Sequence, residues 1–299
     1  MPVAPAAARA MAAPQTLLYA LTFLGSAYAH AAVVALVAWW LSPAAGRRLG
    51  LVLAVSFACN LWIKEIVGYP RPFEIDVGSV SDLVRATAAG ASWPSGHAQN
   101  TAAVWGFLAL AQSRERPRER LWLWAAAAAM VAVAGATRVL LGVHFLRDVL
   151  GGAAVGLAVA LVAGFGVWRL PGWEPWLRWT AGAGSLAVWA AGGVQPDTAG
   201  LAAGCLLAEA RLRPAAGPRR RLLAVAGGAL VCAEVYAGLR QGLWALVPGA
   251  PSGWAVGAAT LAAALVALDG WPWLARRWGL FRRPPEPEGP AAGGAGEPG

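Results

Sequence analysis

Charge is what this 299-residue chain has least of: Asp, Glu, Lys and Arg together make up 13% of it, about half of the ~25% usual in a soluble domain. A disordered chain, which needs low hydrophobicity and high charge, is excluded, and an ordinary cytosolic globule is disfavoured. Cysteine is scarce as well. Cys59, Cys205 and Cys232 make neither a disulfide framework nor the paired spacing of a metal site. Lysine occurs once, at Lys64, against 23 arginines.

What is present is apolar. Hydrophobic residues are 58% of the chain and the mean hydropathy is +0.54. The 37 glycines and the alanine-rich runs suit helices that pack closely in lipid. The 17 tryptophans suit the two membrane interfaces, where indoles concentrate. A spanning helix needs about 20 mainly apolar residues. Nine candidate runs stand at roughly 20–41, 49–66, 96–112, 121–138, 148–168, 179–194, 198–210, 222–239 and 254–270. The sixth and seventh are short enough to be tilted or to form one helical hairpin.

The net charge of +9 falls in the gaps between these runs. Arg47 and Arg48 follow the first run, and Arg114, Arg116, Arg118 and Arg120 the third. Arg169 and Arg178 follow the fifth. Arg211, Arg213, Arg219, Arg220 and Arg221 follow the seventh, and Arg276, Arg277, Arg282 and Arg283 the ninth. Seventeen of the 24 basic residues thus lie in alternate loops. That pattern marks the cytoplasmic side of a multi-pass inner-membrane protein rather than a nucleic-acid surface. The amino terminus is then outside and the carboxyl terminus inside. Ala27-Tyr28-Ala29 admits a signal-peptide cleavage, but apolar character continues to Leu41 and residues 1–15 carry only Arg9. The tail 284–299 is Pro, Gly, Glu and Ala without an apolar face, which predicts disorder.

Ionisable groups beside membrane spans are functional candidates by default. With the loop arginines set aside, three groups remain. Lys64 and Arg71 end the second run, Trp93-Pro94-Ser95-Gly96-His97 opens the third, and Thr137-Arg138 closes the fourth, followed by His144 and Asp148. The alternation places all three on the non-cytoplasmic side at one depth. Taken singly, the cations could snorkel to the interface, Ser95 could be an ordinary cap, and His144 with Asp148 a structural pair. Together they describe an anion site. Three fixed cations suit phosphate, and a helix starting at Pro94-Ser95-Gly96 presents free N–H groups with the positive dipole end behind them. His144 and Asp148 share a helical face, so the carboxylate can hold one ring nitrogen and leave the other as a nucleophile. His97 supplies a second imidazole for proton transfer. Three adjacent cations argue against a metal, so the chemistry reads as metal-free phosphoryl transfer without a cofactor. The residues alone leave open which histidine is the nucleophile, although the spacing to Asp148 favours His144.

These positions resemble the type 2 phosphatidic acid phosphatase family, whose motifs are KxxxxxxRP, PSGH and SRxxxxxHxxxD. They stand here as Lys64…Arg71-Pro72, Pro94-Ser95-Gly96-His97 and Thr137-Arg138…His144…Asp148, with Thr137 in place of serine. The resemblance covers about residues 16–170. It implies an all-α polytopic bundle with a phosphatidic acid phosphatase type 2 or haloperoxidase-like core; nine apolar runs argue against the soluble haloperoxidases themselves. It implies that Lys64, Arg71 and Arg138 bind phosphate oxygens, assisted by Ser95 and the Gly96 amide. It further implies that His144 attacks phosphorus, that Asp148 orients it, and that His97 protonates the leaving oxygen and then activates water. The expected partners are membrane lipids and a lipid phosphate substrate, either undecaprenyl diphosphate or a phosphatidic acid or phosphatidylglycerol phosphate type. Transfer of the phosphoryl group to an alcohol is the alternative, and a non-catalytic lipid-binding or transport protein a second.

The remaining expectations concern organisation. Residues 1–170 form the catalytic core with five spans, and 171–283 a membrane extension with about four more, of open role: dimer surface, lipid groove or ligand site. The loop 73–92 is placed to cover the site. Gln99 and Asn100 are read equally as substrate contacts or helix contacts. His30 is read as a buried or interfacial histidine, and Glu234 with Arg240 as a structural pair.

Overall fold

The computed structural model describes residues 17–76, 80–85, 88, 90–165, 212–214, 217–246 and 252–283. The expected runs 179–194 and 198–210, the tail 284–299 and the Arg240 side chain lie outside them. The other seven runs are helical. The first is a bent pair, α1 (Leu17–Phe23) and α2 (Ala27–Trp40), meeting at 50°. The bend falls where Gly25 packs against His97, and Ser26 caps α2 by accepting a hydrogen bond from the Ala29 amide at 3.2 Å.

Helix α3 (Pro43–Val67) begins six residues before the apolar run does. Ser42 accepts from the Ala45 amide at 3.1 Å and Pro43 occupies the first turn, so the cap sets the start and Arg47 and Arg48 lie inside the helix rather than in a loop. The helix stops at Gly68, whose φ of 62° only glycine adopts freely. Two one-turn helices follow, α4 (Pro72–Ile75) and α5 (Asp82–Arg85). Then come α6 (Gly96–Glu115), α7 (Arg120–Leu140), α8 (Leu146–Phe165), α9 (Pro218–Leu246) and α10 (Ser252–Leu265). A π-turned segment, Val266–Gly270, leads into α11 (Trp271–Ala275).

Among the described residues, five helical stretches are long and apolar enough to cross a membrane, and six if the bent pair counts as one span. The chain is an integral membrane protein. Helix α6 is not one of those stretches, although its position matches the expected run at 96–112. Its first turns carry Gln99, Asn100 and Thr101, all buried within the bundle. Packing of α6 on α8 depends on a column of small residues, Gly152, Gly156, Ala160 and Gly164, spaced one turn apart. A Cβ at Gly152 would lie 2.5 Å from the Ser95 carbonyl oxygen, so the two backbones touch where the site begins.

The described C-terminal helices dock on α2. Trp39 Nε1 donates to the Ala267 carbonyl at 2.8 Å, and Trp271 Nε1 donates to the Ala224 carbonyl at 2.8 Å. Gly227 and Gly228 leave room for those two indoles. A two-stranded antiparallel pairing, β1 (Arg213–Pro214) with β2 (Phe281–Arg282), sets Arg213 opposite Arg282. The loops after the seventh and ninth apolar runs therefore meet at one end of the bundle, as the charge alternation requires.

Candidate active site

The three motif groups converge at the ends of α3, α6, α7 and α8. Arg71 is 2% exposed and Arg138 1%, too little for snorkelling side chains. Arg71 caps α4, where its backbone N–H donates to Glu74 Oε2 at 2.8 Å. Its guanidinium donates from Nε to the Gly90 carbonyl at 2.8 Å and from Nη1 to the Val143 carbonyl at 3.0 Å. The same Nη1 lies 3.2 Å from His144 Nε2. Lys64, in the last turn of α3, donates to the Ala91 carbonyl. Arg138 Nη1 donates to Thr22 Oγ1 on α1 at 3.2 Å. Backbone carbonyls and a hydroxyl thus help to orient the three cations.

His144 lies in the turn 141–145 between α7 and α8 and is almost fully buried. Its Nδ1 faces Asp148 Oδ2 at 3.5 Å, which orients the ring so that Nε2 points to Arg71. Burial pushes the His144 imidazole down to about 4; Asp148 pulls it up, and the Arg71, Lys64 and Arg138 charges push it down further. The ring is therefore neutral at neutral pH, the form a nucleophile requires.

The short contacts of Asp148 are elsewhere. Oδ2 accepts from Ser92 Oγ at 2.6 Å and from the Phe145 amide at 2.8 Å, and Ser92 Oγ is also 3.5 Å from His144 Nδ1. Ser92, fully buried, escapes the sequence reading because no fixed spacing ties it to Asp148. The only available signal is that it directly precedes Trp93-Pro94-Ser95. Thr22, the partner of Arg138, escapes for the same reason.

Ser95 caps α6 with its backbone N–H donating to the Asp148 carbonyl at 2.9 Å, which locks the start of α6 to the start of α8. Its hydroxyl is buried and has no hydrogen-bond partner among the described residues. Gly96 follows, and a Cβ there would stand 3.2 Å from Asn60 Oδ1. His97, in the first turn of α6, packs against Gly25, which also lies against Ala134.

The residues left open by sequence resolve into structure. Gln99 and Asn100 make helix contacts: Gln99 Nε2 donates to the Ser56 carbonyl at 2.7 Å, and Ser56 Oγ donates to Asn100 Oδ1 at 2.7 Å. Asn60 Nδ2 completes the network, donating to Gln99 Oε1 at 2.9 Å and the Pro94 carbonyl at 3.2 Å. His30 is fully buried, its Nε2 lying 3.2 Å from Thr101 Oγ1. Phe73 and Val84, in the described part of the loop 73–92, pack with Val143, the neighbour of His144. Among the described residues no cluster of three or more His, Cys, Asp or Glu side chains could hold a metal.

Every one of these motif positions falls inside residues 45–170, the segment matched by the sequence profile of the PAP2 superfamily. Residues 45–170 are a PAP2 superfamily domain. Over 124 residues the chain is 38% identical to phosphatidylglycerophosphatase B of Bacillus subtilis (strain 168), an alignment covering 40% of this chain and 57% of that protein. The chain thus spans little more than half the length of the curated relative. A solved structure, a transmembrane PAP2-type phosphatidylglycerolphosphate phosphatase from Bacillus subtilis, aligns with 25% identity, covering 52% of this chain and 78% of its own, at a TM-score of 0.43. The PAP2 domain contains α6, α7 and α8 and nearly all of α3, while Thr22 and Gly25 approach it from α1 and the bend.

Proposed function

We propose that this protein is a metal-independent lipid phosphatase that removes the terminal phosphate of a membrane lipid phosphate or diphosphate at the non-cytoplasmic face. The observation that carries this reading is the 3.2 Å approach of Arg71 Nη1 to His144 Nε2, which sets a phosphate-binding cation beside the atom left free to attack. Arg71, Lys64 and Arg138 bind the phosphate oxygens, with the Ser95 hydroxyl and the Gly96 amide at the positive end of α6. His144 Nε2 forms a bond to phosphorus as the bond to the lipid oxygen breaks, and His97 gives that oxygen a proton. Water, deprotonated by His97, then attacks the phosphohistidine. The P–N bond breaks, inorganic phosphate leaves and His144 is restored. Asp148 holds Nδ1 throughout and steadies the positive charge that develops on the ring.

Two results are expected to follow. Phosphate release by detergent-purified protein persists in EDTA; inhibition by chelator that magnesium reverses would show the mechanism to be wrong. Replacing Ser92 by alanine removes the shortest contact of the Asp148 carboxylate. A hydrogen bond to a charged group is worth about 1.5–3 kcal/mol, so kcat falls about tenfold to a hundredfold. KM changes little, because Ser92 positions His144 through Asp148 and does not meet the lipid.

The test is phosphate release in EDTA from undecaprenyl diphosphate, phosphatidic acid, phosphatidylglycerol phosphate and sphingosine phosphate, with His144→Ala as the blank. The name of the curated relative puts phosphatidylglycerol phosphate first in that panel. Release above the blank supports the reading and ranks the substrates. Release only when an acceptor alcohol is supplied would instead mark a phosphotransferase.

A further inference from the structure

The PAP2 domain begins at residue 45, yet the bent pair α1–α2 that precedes it reaches the site from outside. Tyr19 Oη lies 2.9 Å from Ser81 Oγ in the loop 73–92. Thr22 Oγ1 accepts from Arg138 Nη1 at 3.2 Å. A Cβ at Gly25 would stand 2.9 Å from His97 Cδ2, so that backbone lies directly against the imidazole. His30 Nε2 is 3.2 Å from Thr101 Oγ1, which in turn donates to the His97 carbonyl at 2.7 Å. Of these contacts, the one from Thr22 meets a side chain assigned to phosphate. Thr22 is 6% exposed, while the next residue, Phe23, is 53% exposed on the outer side of α1. A hydroxyl turned inward from a mostly apolar helix, onto a buried guanidinium, has a reason to be there.

Resting on the lipid phosphatase reading, we infer that Thr22 is a positioning residue for Arg138, so that the first span completes a phosphate site the PAP2 domain does not complete alone. A guanidinium carries its N–H donors in one rigid plane. An acceptor at Nη1 helps fix that plane, and with it the direction of the donors that meet phosphate oxygens. A hydroxyl does this without offsetting the charge of the cation. Valine at position 22 keeps the shape of the side chain and leaves the Arg138 charge in place, but it removes the acceptor. Long-range attraction for the ground-state phosphate survives that change. Alignment with the oxygens as phosphorus passes between the lipid oxygen and His144 does not, and alignment is what lowers the barrier.

Thr22→Val should lower kcat for phosphatidylglycerol phosphate by about tenfold to a hundredfold, with KM within about threefold of the unaltered protein. Inhibition by orthovanadate, which mimics the transferring phosphoryl group, should weaken by a similar factor. Thr22→Ser restores the hydroxyl and should recover most of both. Phe23→Ala, on the outer side of the same helix, should change neither. Thr22→Ala, which adds no atom to the packing, gives the same readouts if the valine variant does not purify. A lower melting temperature alone, with kcat and orthovanadate inhibition unchanged, would make Thr22 a packing residue and overturn the inference. So would a serine variant as impaired as the valine one. Failure of the unaltered protein to release phosphate from any lipid would instead refute the phosphatase reading. Thermal stabilisation by orthovanadate, compared between the unaltered protein and Thr22→Val, would then still decide whether Thr22 aims Arg138 at a phosphate-like anion: equal stabilisation overturns it.

Discussion

His144→Ala is expected to lose phosphate release by at least ~10⁴-fold, the scale seen when a covalent nucleophile is removed. The protein should still purify as a folded species. The ring makes one contact at 3.2 Å and two at 3.5 Å, all longer than good hydrogen bonds. Their loss costs about 1 kcal/mol, and melting should fall by only about 2–4 °C. The separation of the two effects is the point of the experiment: activity vanishes while stability barely changes. Release comparable to the unaltered protein would remove His144 as nucleophile and leave His97 as the imidazole to examine.

Gly156→Leu should do the opposite, abolishing activity by abolishing the structure. A Cβ at Gly156 would overlap the Gln99 carbonyl oxygen and lie 2.9 Å from Ala102 Cβ, and a backbone atom cannot rotate away. Helices α6 and α8 would have to separate, at a cost of about 3 kcal/mol or more. Separation would pull Ser95 from the Asp148 carbonyl and with it the start of α6 from the carboxylate that orients His144. Thermal unfolding in detergent should drop sharply, along with phosphate release. Gly238→Leu is the control, since nothing stands within 4 Å of a Cβ there. If Gly156→Leu unfolds at the temperature of the unaltered protein, the tight approach of α6 to α8 is not what holds the site.

Both experiments draw on what the sequence made legible and on what it hid. Hydropathy marks helices well because each spanning segment must satisfy its own backbone, and that demand is local. The seven described runs are therefore helical where their apolar character put them. The ends are less legible: the start of α3 follows from Ser42 and Pro43 rather than from the apolar run, and the bend before α2 from Gly25 packing against His97. The motif residues stood out because a charge beside lipid needs a reason. Ser92 and Thr22 are ordinary hydroxyls in the sequence, and only closure of the bundle gives them Asp148 and Arg138 as partners. The β1–β2 pairing joins two segments 69 positions apart at the register pair Arg213 and Arg282, a contact no local pattern encodes.

The indole of Trp39 finds its acceptor 228 residues further along the chain, at Ala267. At the usual synthesis rate of 5–20 residues per second, about 10–50 s pass between the two being made. During that interval α2 carries an indole N–H whose acceptor in the folded protein has not yet been made. The helices that carry the phosphate site, between residues 43 and 165, are all synthesised well before then, so the chemistry does not wait on Ala267 to be made.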